Sequence, residues 1–208
     1  STHLETGLKA YVGADSRMDL ALFQIDTRDE LVVDSSSGGR TSYRNAGRTQ
    51  RRGLELGLDS RWQGGLSSRL AYTYLDARYD EAFTTSGGTV VSAGKRLPGI
   101  AEHNLYADLT WRHAPSGFYA GVEGLVRGRM QVEDTNTQQA APGYAIANLR
   151  VGVERSYGPL TMRTYARLNN VLDRQYVGSV VVGDSNGRYY EAAPGRNWLA
   201  GVSLRYAF

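Results

Sequence analysis

The eleven residues Trp198-Leu199-Ala200-Gly201-Val202-Ser203-Leu204-Arg205-Tyr206-Ala207-Phe208 alternate without a break and stop on an aromatic side chain. Counting back from Phe208, one register holds Tyr206, Leu204, Val202, Ala200 and Trp198, and the other holds Arg205, Ser203 and Gly201. Successive side chains of a strand point to opposite faces, so a period of two makes one face dry and one wet. A soluble sandwich strand can alternate in the same way. Aromatic residues at both ends of the apolar register, about a strand length apart, fit a span with two membrane interfaces. The segment predicts one strand of an outer-membrane β-barrel.

The same period recurs toward the amino terminus. Thr6, Leu8, Ala10 and Val12 oppose Glu5, Gly7, Lys9 and Tyr11, and Asp15-Ser16-Arg17 reads as a polar turn. Residues 18–33 predict a second strand whose faces stay unassigned, because Leu20 and Leu22 compete with Ala21, Phe23 and Ile25. In residues 49–62, Leu54, Leu56, Leu58 and Trp62 oppose Gly53, Glu55, Gly57, Asp59 and Arg61, before a tight Gln63-Gly64-Gly65 turn. Further strands are read over 66–82, 102–113, from Phe118 past Arg127, around Ala147–Glu154, and over 160–172. The total is about nine strands.

Connections near residues 16, 64, 115 and 157 are short, whereas those at 28–48, 83–101, 129–143 and 174–195 are long and polar. Short and long alternate strictly. In a meander this sends every long loop to one end, as in outer-membrane barrels. All five prolines (98, 115, 142, 159 and 194) fall in or beside these connections, where a missing N–H breaks no ladder. An immunoglobulin-type sandwich predicts neither the alternation nor so many long strands.

Composition is compatible with this reading. The chain has 208 residues, 41% hydrophobic and 22% charged, with a mean hydropathy of -0.43. No apolar run is long enough for a transmembrane helix. A barrel escapes that test because only alternate residues meet lipid. The net charge of +3 comes from 24 Lys and Arg scattered beside 21 Asp and Glu, an unclustered pattern that argues against nucleic acid. Absence of cysteine removes disulfides, Cys-zinc sites and thiol nucleophiles together. The amino terminus carries no basic region followed by an apolar core, so either a signal peptide has been removed or this is an internal piece of a longer chain. An odd strand count with free edges leaves backbone groups unsatisfied in lipid. The chain is therefore expected to be incomplete.

Five short motifs then point to a family. Glu5-Thr6-Gly7-Leu8-Lys9, Asn45-Ala46-Gly47 with Arg52-Gly53-Leu54-Glu55, Arg96-Leu97-Pro98-Gly99, Asn169-Asn170-Val171-Leu172-Asp173-Arg174-Gln175-Tyr176, and Pro194-Gly195-Arg196-Asn197-Trp198 ahead of terminal Phe208 occur in one order. In that order they resemble the carboxy-terminal part of a TonB-dependent outer-membrane receptor, a class that imports ferric siderophores and similar scarce nutrients. The resemblance implies an all-β, antiparallel, up-and-down transmembrane barrel of 22 strands, filled by an amino-terminal plug that carries the TonB box. Residues 1–208 would be a partial domain holding about nine of those strands, with the plug absent. It further implies a Gram-negative outer-membrane location, with a ferric siderophore or other metal chelate, TonB through the missing plug, the barrel-assembly machinery and outer-membrane lipid as partners. Transport by this chain alone is not expected.

Aromatic and cationic groups on inward walls and long loops hold an anionic, aromatic chelate. The candidates are Tyr43, Arg44, Arg48, Arg78, Tyr79, Lys95, Arg96, Arg188, Tyr189 and Tyr190. At any one position a tyrosine that packs a girdle or loop, or an arginine that pairs with a lumen carboxylate or lipid phosphate, is the competing explanation. Glu55, Asp59, Arg61, Arg69, Asp108, Arg112, Glu123, Arg127, Arg150, Arg163 and Arg167 are expected to form ladders between strands. His3, His103 and His113 share no ligand spacing, and the acidic runs at 133–136 and 184–187 read as turn chemistry rather than calcium loops. No cofactor, metal or catalytic motif is expected. Two alternatives remain: a passive porin-like or adhesin-like barrel, and a barrel-embedded hydrolase with His103 as its base.

The register Trp198, Ala200, Val202, Leu204, Tyr206 and Phe208 is expected to be the signal read by the barrel-assembly machinery. Deleting Phe208 from the full-length protein should sharply lower the amount assembled in the outer membrane. Quantifying the heat-modifiable folded form checks this, and unchanged assembly would refute it.

Overall fold

Alternating side chains become two faces only where the backbone pairs, and here it pairs almost continuously. The computed structural model describes residues 1–208. In chain order the strands are β1 (Thr2–Val12), β2 (Ser16–Arg28), β3 (Leu31–Ser37), β4 (Arg40–Asn45), β5 (Arg48–Arg61), β6 (Leu66–Tyr79), β7 (Phe83–Thr84), β8 (Val90–Val91), β9 (His103–His113), β10 (Phe118–Arg127), β11 (Tyr144–Tyr157), β12 (Leu160–Asn169), β13 (Val177–Val180), β14 (Tyr190–Ala192) and β15 (Asn197–Tyr206). Nine of them form one sheet in the order β1-β2-β5-β6-β9-β10-β11-β12-β15. Every neighbouring pair is antiparallel. β1 and β15 are its edges.

The nine expected strands are all present, and the long loops hold more order than their polarity implied. Three of them fold back as the hairpins β3-β4, β7-β8 and β13-β14. The first turn lies at residues 13–15, earlier than expected, because Gly13 supplies the positive φ of 69°. β2 ends at Arg28 instead of residue 33, since Asp29 turns left-handed (φ 56°) and donates its N–H to Gly47 O at 3.0 Å. β12 likewise ends at Asn169, before Asn170 at φ 48°, and β6 stops at Tyr79. β15 stops at Tyr206, and Phe208 lies beyond it with its ring centroid 5.3 Å from that of Tyr206. Each short turn still obeys steric rules: a Cβ on Gly65 or Gly117 would collide with the carbonyl of Arg112 or Glu154, and both have positive φ.

Cross-strand register resolves the two faces. Leu20, Leu22 and Met18 align with Leu56, Leu54 and Leu58, which assigns the ambiguous second strand. Its competing register, Ala21 and Phe23, lies on the polar face, where the Phe23 ring covers Gly53. At the far edge Trp198, Ala200, Val202, Leu204 and Tyr206 stand opposite Leu168, Ala166, Thr164, Met162 and Leu160. These residues form an apolar belt across one face. The belt has a sharp upper limit on β2, β5 and β6: the row Leu22, Leu54, Tyr74 is followed, toward the long loops, by Gln24, Arg52, Asp76. His103 continues the lower of these rows and meets the Tyr72 hydroxyl at 2.9 Å.

An arginine in the belt of a membrane strand should cost about 2–4 kcal/mol near the midplane. Leu56→Arg should therefore impair insertion, whereas Gly57→Arg on the polar face should lack that lipid penalty. Labels at Leu56, Gly57 and Leu58 should alternate in accessibility to a lipid-soluble quencher, and uniform accessibility would refute the membrane assignment.

Candidate functional site

The polar face carries a charge network built by strand pairing. Asp59 and Arg69 are directly opposite and bond at 2.7 Å. Arg150 joins Asp108 at 2.6 Å and Glu123 at 3.8 Å, and Arg167 closes on the same Glu123. Asn148 donates to Glu123 at 2.7 Å, so the carboxylate on β10 is held from β11 and β12. Arg112 and Arg163 lie over the Tyr119 ring at 5.2 and 5.3 Å, and Tyr119 in turn covers Gly152. The expected ladders form at Asp59, Arg69, Asp108, Glu123, Arg150, Arg163 and Arg167, whereas Glu55, Arg61, Arg112 and Arg127 make no ion pair. Two polar-face recesses of about 630 and 730 Å³ open beside the wall formed by β1, β2, β5 and β6.

At the long-loop end the connections pack on one another. Val32, Ala46, Ala77, Tyr79, Val91 and Leu97 form one small core between the first two loops and the top of β6. Ala101, Met130, Val132 and Ala141 form a second, with Val177, Val180 and Tyr189 against it. The third loop, residues 128–143, links the others. Asn136 accepts from Arg96 N at 2.7 Å and donates to Arg96 O at 3.0 Å. Gly183 N reaches Val132 O at 3.0 Å, and Ser36 bridges to Asp184.

Electrostatics inside that loop divides two neighbouring carboxyls. Burial raises the Glu133 carboxyl, but hydrogen bonds from the Thr135 side chain and the N–H groups of Gln138, Thr135 and Thr137 outweigh it and hold it below the usual range. Burial pushes Asp134 up, against the lowering bond from the Tyr79 hydroxyl at 2.6 Å.

The structure separates the ten candidate residues. Arg44 pairs with Asp34 at 3.7 Å and lies over Phe83 at 5.1 Å. Arg48 is held by Glu81 at 2.7 Å, Arg78 by Asp76 at 2.9 Å, and Arg96 by Glu102 at 2.7 Å. Tyr79 is 1% exposed, and Tyr189 packs on the second loop core. Tyr43 and Arg188 are exposed, Lys95 is half-buried, and exposed Tyr190 donates to Gln139 O at 2.6 Å.

Sequence reading missed a different cluster. Arg127, Tyr144, Arg174 and Tyr176 line a recess of about 510 Å³ where β10 and β11 meet the fourth loop. The two tyrosine rings lie 4.3 Å apart. Neither arginine has an ion-pair partner, and Arg127 donates only weakly to Asn104 at 3.3 Å. Arg174 and Tyr176 belong to the quoted Asn169–Tyr176 motif, but its partner residues are about 30 and 47 positions away. Pairing of these segments is the only cue, and it is tertiary. The motif's other residues act on the chain path: Asn170 clasps Arg174 N and O at 2.9 and 2.8 Å, and Asp173 accepts from Arg196 N at 2.7 Å.

The hydrolase alternative required His103 to serve as a base. Its ring lies on the apolar-belt side against Tyr72 and Tyr74, with a tyrosine hydroxyl, not a serine, as its side-chain partner. Glu133 and Asp184 are engaged as turn acceptors, the latter from the N–H of Asn186 and Arg188 at 3.1 and 2.7 Å.

With this geometry in place, comparison with known proteins is decisive. Residues 1–171 match the family model for the TonB dependent receptor-like beta-barrel. The chain belongs to that family. A ferrioxamine receptor of Yersinia enterocolitica is 24% identical over 172 residues, covering 80% of this chain and 22% of that protein. Two Acinetobacter baumannii structures share the fold. The siderophore receptor PiuA has a TM-score of 0.71 at 18% identity, over 98% of this chain and 28% of that one. The ferric preacinetobactin receptor BauA has 0.72 at 16% identity, over 98% and 29%. This TonB-dependent receptor chain thus spans less than a third of each of these proteins.

Glu133→Gln should loosen the third loop of the barrel chain, because a neutral amide replaces the charged acceptor of three backbone N–H groups. Amide exchange at Thr135, Thr137 and Gln138 should rise about tenfold, from loss of roughly 1.4 kcal/mol. Asp134→Asn keeps an acceptor for Tyr79 and removes a charge disfavoured by burial, so it should not. The raised Asp134 favours the docked loop below its folded-state value, and this contribution is lost as pH rises through it; the lowered Glu133 has the opposite sign. Hydrogen exchange with residue resolution checks the ranking.

Proposed function

We infer that residues 1–208 are the carboxy-terminal wall of an outer-membrane receptor that takes up a ferric siderophore or similar metal chelate with energy delivered through TonB. The complete barrel has 22 strands, and an amino-terminal plug, outside this chain, fills it and contacts TonB. The apolar belt then faces lipid, the charged face lines the lumen beside the plug, and the long loops are extracellular. The protein is a transporter and not an enzyme.

The carrying observation is the recess with Arg127, Arg174 and the closely packed, mutually tilted Tyr144–Tyr176 pair at the loop end of the polar face. Two cations without carboxylate partners beside aromatic rings suit an anionic, aromatic chelate. Burial raises the Tyr176 phenol above its ordinary value, so that ring stays neutral. Of the ten residues named from sequence, Tyr43, Lys95, Arg188 and Tyr190 serve as further ligand contacts. Arg44, Arg48, Arg78, Tyr79, Arg96 and Tyr189 hold the loop layer that presents them. Names of the related proteins, which include a ferrioxamine receptor and a ferric preacinetobactin receptor, support iron chelates as the substrate class.

In the full-length receptor, Arg127→Ala with Arg174→Ala should weaken ferric-chelate binding about a hundredfold or more, since each charged contact contributes roughly 1.5–3 kcal/mol. Arg48→Ala should leave binding within about twofold, in keeping with an exposed ion pair. Equilibrium binding and radioactive-iron uptake, with and without TonB, decide it. Uptake that persists without TonB would favour a passive porin-like barrel.

A further inference from the structure

The recess and the charged wall below it are joined by two buried side-chain amides. Asn148 of β11 is 5% exposed, and Asn170, which follows β12, is 2% exposed. Asn148 Nδ2 donates to Glu123 Oε1 at 2.7 Å, and Asn148 Oδ1 accepts from Asn170 N at 2.8 Å. The Asn170 amide then takes both main-chain groups of one residue: Oδ1 accepts from Arg174 N at 2.9 Å, and Nδ2 donates to Arg174 O at 2.8 Å. An unbroken series of hydrogen bonds therefore runs from a carboxylate on β10 to the backbone of a recess arginine.

Each member of the series fits its place for a separate reason. The Glu123 carboxylate accepts and does not donate, so Asn148 has to turn its amino group toward the wall and its carbonyl toward Asn170. An apolar side chain at position 148 would leave the buried Asn170 N–H without a partner. A carboxylate there would keep that bond but set a second negative charge against Glu123. Asn170 holds φ at 48°, a left-handed conformation that asparagine adopts more readily than most residues. Val171 N and Asp173 N are tied as well, to Ala147 O and Asn170 O at 2.9 Å each, so the turn is fixed on β11 before the chain reaches Arg174. Glu123 is anchored in turn by Arg167 and by the Tyr106 hydroxyl at 3.2 Å, with Arg150 at 3.8 Å. The clasp uses only the main chain of Arg174, which leaves its guanidinium to the recess.

We propose that Asn148 and Asn170 are positioning residues for the ligand: anchored on Glu123, they set where Arg174 and Tyr176 stand in the recess. The inference rests on the reading of that recess as a ligand site. Asn148 acts through Asn170, so a change on the β11 wall is felt at a loop residue that Asn148 does not bond.

The test uses the full-length receptor, scoring only protein with the heat-modifiable mobility of a folded barrel. Residue-resolved hydrogen exchange reads the Arg174 amide without any ligand, and equilibrium binding of the iron(III) complex of 2,3-dihydroxybenzoate reads the recess. Asn148→Leu should raise exchange at Arg174 about tenfold and weaken binding about tenfold. Asn148→Asp, which keeps the acceptor for Asn170 N, should restore most of both. Asn170→Gly, which accepts the left-handed backbone but has no clasp, should behave like Asn148→Leu. Should Asn148→Leu fail to fold, Asn148→Ala is scored instead. Unchanged exchange at Arg174 in the scored variants, or no difference between Asn148→Asp and Asn148→Leu, would overturn the proposal. A wild type that binds no chelate, with Arg174 released in the variants, would undo the proposed function and leave the positional link standing. Wild-type binding that the variants retain in full would undo this inference and leave the function.

Discussion

Every backbone N–H and C=O that leaves water has to find a partner, and in this chain the antiparallel ladder supplies it. Of 120 backbone–backbone hydrogen bonds, 93 lie within the strands. That requirement governs what surrounds it. Strands of ten to fourteen residues pair in the main sheet, prolines are kept to connections, and the side chains are left to alternate between two solvents. Aromatic side chains over glycines, Phe23 on Gly53 and Tyr119 on Gly152, fill the gaps that the ladder leaves on its polar face.

The polar face is held by ion pairs that connect strands far apart in sequence. Glu123 takes Arg167 and Asn148, and Arg150 reaches both Asp108 and Glu123. Such a network is specific in geometry and half-shielded from water, which makes its members worth more than exposed pairs such as Arg17–Asp19. It also occupies most of these arginines. Arg127 and Arg174, at the loop end, have no carboxylate partner.

The loops form a structural layer in their own right. Two small apolar cores and the clasp of Asn136 on the Arg96 backbone tie the second, third and fourth connections together, and Ser36 with Asp184 joins the first to the fourth. Residues such as Tyr79 and Arg96, which look like ligand groups by type, are spent on this layer. Tyr43 and Arg188 stay exposed at its surface.

Period-two alternation, the strict succession of short and long connections, and the five motifs were legible in the residues themselves, because each depends on near neighbours along the chain. The belt register could be counted directly from Trp198 to Phe208 and from Leu54 to Trp62. The faces of β2 could not, since both of its registers are apolar; only pairing with Leu54, Leu56 and Leu58 decided that Phe23 belongs with the charges. Strand ends moved for a similar reason. Asp29 and Asn170 adopt left-handed backbone while their N–H groups donate to Gly47 O and Asn148 Oδ1 and Arg174 N donates to the Asn170 side chain, partners distant in sequence or defined only by the turn. The same limit applies to the candidate site: Arg127 and Tyr144 come from adjoining strands, Arg174 and Tyr176 from a loop, and residue type alone could not say which arginines had already found a carboxylate. Local chemistry set the strands and their faces, whereas partner choice, burial and the recess arose from contacts that only the folded sheet brings together.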